Sequence, residues 1–452
     1  GTGMGSLAGM LQETGYEITG SDQNIYPPMS DFLSHKGIEI FNGFNEKNIS
    51  DRVDLIVVGN AVRRDNPEVV AMLEMELPFC SMPQAIKRFI AWNKKPIIIT
   101  GTHGKTTISS ILAWICYTAD SDPSFFVGGI LKNFNSSYRM GNGKYIIVEG
   151  DEYDTAFFDK GPKFLHYVPH MAAVTSVEYD HADIFSDIDH VKQAFDRFIS
   201  GMSPRSSLFA FDGDENLADL LSGRDCRIFK YGRKKDSPWK LGEVSIEPPW
   251  NYFEILKHGE TYGTFKTKLM GIHNLLNTMV SIAIADHMQI SHETISRALE
   301  TFQGVKRRQE VRGQKRNITV MDDFAHHPTA VRETSRAVKP FYPNGRLVAV
   351  FEPRTNTSMR NVFQDVYPVS FDGADLVCVR KPPLLHKIAP GERFSSEKLV
   401  EDLQRLGKKA FYFPDTDAII DFLIQEAKPG DLILIMSNGG FDNIHERLLE
   451  AL

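Results

Sequence analysis

Eight residues, Thr100-Gly101-Thr102-His103-Gly104-Lys105-Thr106-Thr107, carry the strongest chemical pattern in the sequence. Glycines at this spacing let successive backbone N–H groups converge on one point, which is how a loop wraps phosphate oxygens. Lys105 is placed to neutralise β- and γ-phosphate charge, and the Thr106 hydroxyl to hold Mg²⁺. The match to G-x-x-x-x-G-K-[ST] lacks its first glycine, because Ile99 stands there. An apolar strand over 97–100 enters the loop and a helical stretch over 107–117 leaves it. The helix N-terminus adds a favourable dipole for an anion. The plainer reading, a glycine turn with an exposed lysine, does not account for that strand–loop–helix context. ATP is the expected ligand.

Two further clusters follow predicted strand ends, where ligands collect in parallel α/β sheets. One is Glu149-Gly150-Asp151-Glu152-Tyr153-Asp154, the other Glu178-Tyr179-Asp180-His181. Oxygen and imidazole ligands there would set Mg²⁺ beside the γ-phosphate. Each alone reads more simply as a solvated loop; beside the phosphate loop they read as a site. Glu149 is preferred to Asp151 or Asp154, since the strand fixes its direction. Later in the chain come Lys306-Arg307-Arg308 and Asp322-Asp323-Phe324-Ala325-His326-His327-Pro328. The two adjacent histidines lack a metal-helix spacing, so zinc is not expected from them. Taken alone, the basic triplet is as readily a solvated turn. Glu352-Pro353-Arg354-Thr355-Asn356-Thr357 follows another strand and could bind a carboxylate.

Strands alternate with helical stretches along all 452 residues, which predicts α/β architecture with parallel sheets. Three units are expected, over 1–88, 89–303 and 304–452. The first opens on Gly1-Thr2-Gly3-Met4-Gly5, read as a glycine-rich turn whose usual preceding strand is expected to be missing before Gly1. Its strands are predicted over 16–21 and 53–58. The second has strands over 97–100, 145–149 and 171–177, a polar loop or small sheet over 234–250, and a helix over 274–287. The third has strands over 318–321, 346–351, 375–379 and 431–436.

Composition excludes several classes. With 51 Lys+Arg against 58 Asp+Glu the net charge is −7, unlike a general nucleic-acid binder. No apolar run reaches the roughly 18 residues of a membrane span. Four scattered cysteines without CxxC spacing, and no signal peptide, fit a cytoplasmic protein.

GTHGKTT, EGDEYD, EYDH, HNLLN (273–277) and DDFAHHP, in this order, resemble the Mur ligase family of ATP-dependent amide-forming enzymes of peptidoglycan synthesis. The likeness covers nearly the whole chain. It implies a Rossmann-like UDP-binding domain, a central P-loop ATPase-type domain and a C-terminal Rossmann-like domain. ATP would lie on Gly101, Thr102, His103, Gly104, Lys105, Thr106 and Thr107. Asn277 matches the adenine contact, Arg308 the one near the phosphates, and Asp323 the ribose contact. Glu149 would bridge two Mg²⁺ ions, with Thr106 on the first and His181 on the second. Gly3, Gly5, Ser21 and Asp22 would serve the UDP-sugar; His326, Arg354 and Asn356 would meet the incoming amine. Gly150 stands where alanine is usual. Residues 193–197 (QAFDR) offer no lysine to carbamylate, which matches the muramate-binding branch.

Within that branch, the segments at 26–30, 151–160 and 352–357 favour members that join L-alanyl-γ-D-glutamyl-meso-diaminopimelate to UDP-N-acetylmuramate. The alternative is joining L-alanine to the same acceptor. A folylpolyglutamate synthase would lack the first domain. A nucleotide-binding regulator would need a damaged metal site, which this sequence does not have. Neither His181 nor His326 is preferred as general base, and the oligomeric state is open.

Overall fold

The computed structural model describes residues 1–25 and 29–452, so of the 26–30 segment only Met29 and Ser30 lie within the described residues. At its centre is a ten-stranded sheet. From one edge its strands run Glu260–Thr267, Trp250–Lys257, Trp239–Glu247, Arg227–Gly232, Ser207–Phe211, Met171–Val174, Lys95–Thr100, Tyr145–Gly150, Ser124–Leu131 and Ser136–Arg139. The middle pairings are parallel, and antiparallel pairs flank them.

The central strands are continuous apolar runs because both faces are covered. Ile97 and Ile99 enter one cluster with Ile147 and Ala173. Ile98 enters the other with Ile146, Val148, Ala172 and Val174. Each fully buried isoleucine contributes about 1.5–3 kcal/mol. Thr100 pairs with both Gly150 and Val174, so three neighbouring strands end level. That register brings the loops after residues 100, 150 and 174 to one edge. The expected strand over 171–177 therefore stops at Val174, and the chain beyond it is free to line that edge.

Two expectations are corrected. The glycine-rich opening is helical, Thr2–Glu13, rather than a turn. Leu7, Met10 and Leu11 bury a face against the central unit, and that packing outweighs the roughly 1 kcal/mol cost of each helical glycine. The 234–250 stretch is neither a loop nor a small sheet of its own: Trp239–Glu247 joins the main sheet and begins a three-stranded antiparallel extension. Phe253, Ile255 and Phe265 alternate inward there and join the core.

The third unit is a six-stranded sheet ordered Glu310–Lys315, Ile318–Asp323, Leu432–Met436, Leu347–Phe351, Leu376–Arg380, Lys409–Phe413, parallel except at its first pair. In the first unit, the described strands form two parallel pairs, Thr19–Asp22 with Glu39–Asn42 and Ile56–Val58 with Phe79–Ser81. The joints differ in kind. Leu7, Met10 and Leu11 share an apolar cluster with Ile98 and Val148 of the central sheet. Among the described residues, the two clusters of the third unit take in only Met270 from outside it, and Val305 alone packs from it into the central cluster.

Candidate active site

The phosphate loop is shaped by its glycines. Gly101 has φ +123° and Gly104 φ +81°, both unfavourable for side chains. A Cβ at Gly101 would strike the Thr175 hydroxyl, and one at Gly104 would lie 2.5 Å from Asn277 Oδ1. Asn277, on the helix Ile272–His287, thus rests against the loop. The Thr102 amide donates to the Ser176 carbonyl at 2.9 Å, and the Thr175 hydroxyl to the His103 carbonyl at 2.6 Å. Helix Lys105–Thr118 begins with no side-chain cap, leaving its first-turn N–H groups for an anion.

Around this loop stand the acids. Glu149 accepts from the Gly128 amide at 2.9 Å, with the Thr106 hydroxyl beside it. Burial and Asp151 raise its pKa, and the Gly128 amide and Thr106 oppose them. A carboxylate and a hydroxyl are hard oxygen donors, which fits Mg²⁺. Adjacent glycines let the strand Ser124–Leu131 pass close by: a Cβ at Gly129 would lie 2.8 Å from Thr106 Cγ2. That pair is a signal that sequence reasoning overlooked.

Glu152 is the principal addition to the expected set. Only 3% exposed, it holds Lys105 Nζ at 2.9 Å and lies 3.5 Å from His181 Nε2. Burial would raise its pKa, but Lys105 and His181 pull it down to about 2. Lys105 is pushed down by burial and more than restored by Glu152 and Asp151. His181 adopts φ +53°, a strained conformation for a side-chain-bearing residue. Its amide donates to Asp180 at 2.7 Å, and its carbonyl accepts from Ile184 and Phe185. The structure thus sets His181 beside Glu152, and Thr106 beside Glu149.

From the third unit, Arg308 stacks over Phe324 at 4.7 Å; burial lowers its pKa, while Asp323 and Glu149 raise it. Asp323 faces inward, each oxygen accepting at 2.8 Å from the Gln309 or Ala325 amide. His326 Nδ1 pairs with the Phe324 carbonyl at 2.9 Å, and burial lowers its pKa. Asn356 donates to Asp183 at 2.8 Å, and the Ala182 amide to Thr357 at 3.1 Å, so this segment faces the loop after His181. Arg354 turns toward Glu352 at 3.7 Å. Glu352 is fully buried, ion-paired with Arg380 and bonded to Ser437 at 2.7 Å. In the first unit Gly3 and Gly5 lie in the opening helix, Gly5 against Met29. Ser21 donates to Glu68 at 2.5 Å, and Asp22 lies 2.8 Å from the Gly1 amino group.

Three family models match successive parts of the chain: Mur ligase family, catalytic domain over 1–93; Mur ligase middle domain over 99–285; and Mur ligase, glutamate ligase domain over 307–439. The chain belongs to the Mur ligase family. A UDP-N-acetylmuramate–L-alanyl-γ-D-glutamyl-meso-2,6-diaminoheptandioate ligase of Haemophilus influenzae is 36% identical over 453 positions, covering 100% of this chain and 97% of the relative. A UDP-N-acetylmuramate–L-alanine ligase of Clostridium tetani is 32% identical, covering 97% and 94%. The crystal structure of a murein peptide ligase from Psychrobacter arcticus superposes with TM-score 0.73 at 33% identity, covering 100% and 96%. In this Mur ligase, then, the phosphate loop and the two acidic strand ends belong to the middle-domain match, and the Asp323–His327 and 352–357 segments to the next.

Proposed function

We propose that this Mur ligase joins L-alanyl-γ-D-glutamyl-meso-diaminopimelate to the lactyl carboxylate of UDP-N-acetylmuramate at the expense of ATP, in peptidoglycan recycling. The observation that carries the reading is the convergence of Lys105, Thr106, Glu149 and His181 at level strand ends, in a chain aligned end to end with a ligase of that name. The three expected units, 1–88, 89–303 and 304–452, would bind the UDP-sugar, ATP and the peptide. The four free cysteines support a cytoplasmic setting.

The carboxylate attacks the γ-phosphorus, giving an acyl phosphate and ADP. The peptide amine then attacks the acyl carbon, and phosphate leaves. Lys105 leaves Glu152 to meet phosphate oxygens, while the bare N-terminus of Lys105–Thr118 adds N–H donors. Thr106 and Glu149, with His181 for a second ion, would hold Mg²⁺, which supplies charge neutralisation. Of the two histidines weighed as base, His326 suits the task better. With Nδ1–H donated to the Phe324 carbonyl, its Nε2 is free to take the amine's proton, and burial keeps it neutral. His181, assigned to the second ion, has its ring nitrogen committed there and is unavailable as the base.

The test is phosphate release with ATP, Mg²⁺ and UDP-N-acetylmuramate, adding either tripeptide or L-alanine. Release with tripeptide and a mass-confirmed UDP-muramoyl-tripeptide supports the reading. Release with L-alanine alone reassigns the chain to the alanine-adding reaction, which its likeness to the Clostridium tetani protein makes the second choice.

A further inference from the structure

His103 of the phosphate loop, Glu178 after the strand Met171–Val174 and His327 of the third unit meet at the joint between two units. Sequence spacing alone gave no reason to expect zinc at the paired histidines; the fold supplies the missing partners. We propose that His103, Glu178 and His327 form a binding site for a divalent transition metal of the zinc type, distinct from the oxygen-rich Mg²⁺ site.

The geometry suits such an ion. With bonds of about 2.0–2.1 Å, two ligands of a tetrahedral zinc lie about 3.3–3.4 Å apart. His103 Nε2 and His327 Nδ1 lie 3.4 and 3.8 Å from Glu178 Oε2, and all three donor atoms fall within 4.8 Å of one another. His103 Nε2 is buried and has no hydrogen-bond partner among the described residues. His327 Nε2 pairs with the Tyr179 carbonyl at 3.2 Å. An imidazole that donates one N–H to a carbonyl presents the lone pair of its other nitrogen, the usual arrangement of a metal-bound histidine. Here that nitrogen faces Glu178 and accepts from the Thr329 amide at 3.2 Å, while Glu178 Oε2 accepts from the Thr329 hydroxyl at 2.7 Å. An ion would take over the lone pair now directed at the amide. Two imidazoles and one carboxylate favour Zn²⁺ or Co²⁺ over Mg²⁺. Bound there, the ion fastens the phosphate loop to the third unit.

Titrating the full chain with Co²⁺, without nucleotide or Mg²⁺, tests the site. One Co²⁺ per chain with tetrahedral ligand-field absorption, displaced by Zn²⁺ but not by excess Mg²⁺, is expected. Affinity should fall at least tenfold in His327→Gln and in Glu178→Gln, and remain unchanged in His190→Gln. Circular dichroism checks folding; if His327→Gln does not fold, Glu178→Gln decides. Absence of the absorption, displacement by Mg²⁺, or unchanged affinity in the folded ligand variants overturns the proposal. No substrate enters this measurement, so its outcome is independent of the peptide-ligase reading.

Discussion

The phosphate loop and the Glu352 cluster both follow parallel strands, yet they are finished in opposite ways. At the loop, backbone conformation does the shaping and leaves donors unspent: positive φ at Gly101 and Gly104, and a helix start without a cap. At Glu352, side chains do the shaping, with Arg380, Arg354 and Ser437 around one carboxylate. The first arrangement is prepared for a partner that arrives; the second is a strut. Activity should be concentrated at the one and stability at the other.

Lys105→Ala is the sharpest way to break this division. It should lower ligation by about 10³-fold, with circular dichroism unchanged, because the charge on the transferring phosphoryl group loses the cation that the loop supplies. Normal turnover in that variant would remove the loop from the mechanism. Glu352→Gln should do the reverse, costing about 3–5 kcal/mol in a denaturant melt, since Arg380 is left buried with less charge to face. Nucleotide affinity measured by calorimetry should stay near wild type. Gly101→Ala lies between, with about 1–3 kcal/mol lost to backbone strain and weaker nucleotide binding.

A smaller effect comes with pH. Glu178 would be raised by burial, but His103 and Thr329 bring it down to about 2. Its folded pKa is below the ordinary 4.5, so its stabilisation is present above that value and lost as pH falls toward 2. Melting temperature against pH should therefore drop less steeply over that window in Glu178→Gln; an identical acid limb would show that the carboxylate contributes nothing. Asn356→Ala, which removes one exposed bond to Asp183, should shift stability by no more than about 0.5 kcal/mol. A larger loss would show that the polar joint is stiffer than its contacts imply.

Much of this was legible before folding. The strand–loop–helix around Lys105 and the strand that aims Glu149 follow from local pattern, and level register then gathers their loops. What escaped depends on distance. Glu152 is one acid in a run that contains Asp151 and Asp154, and only burial singles it out. His103, Glu178 and His327 are far apart in sequence, so no spacing rule unites them. The opening helix was hidden by glycines, whose cost is offset by contacts with residues far along the chain.

The two joints have a further consequence. The third unit meets the centre largely through bonds such as Thr329 to Glu178, His327 to Tyr179 and Asn356 to Asp183, each of which water can replace. The first unit meets it mainly through hydrocarbon, with the Ser6–Ser137 and Tyr138–Glu13 bonds beside the apolar face. Swinging the third unit away therefore changes the heat capacity little, whereas peeling off the first changes it strongly. The joint of the third unit is thus the less costly of the two to open as temperature changes, and the joint of the first the more costly.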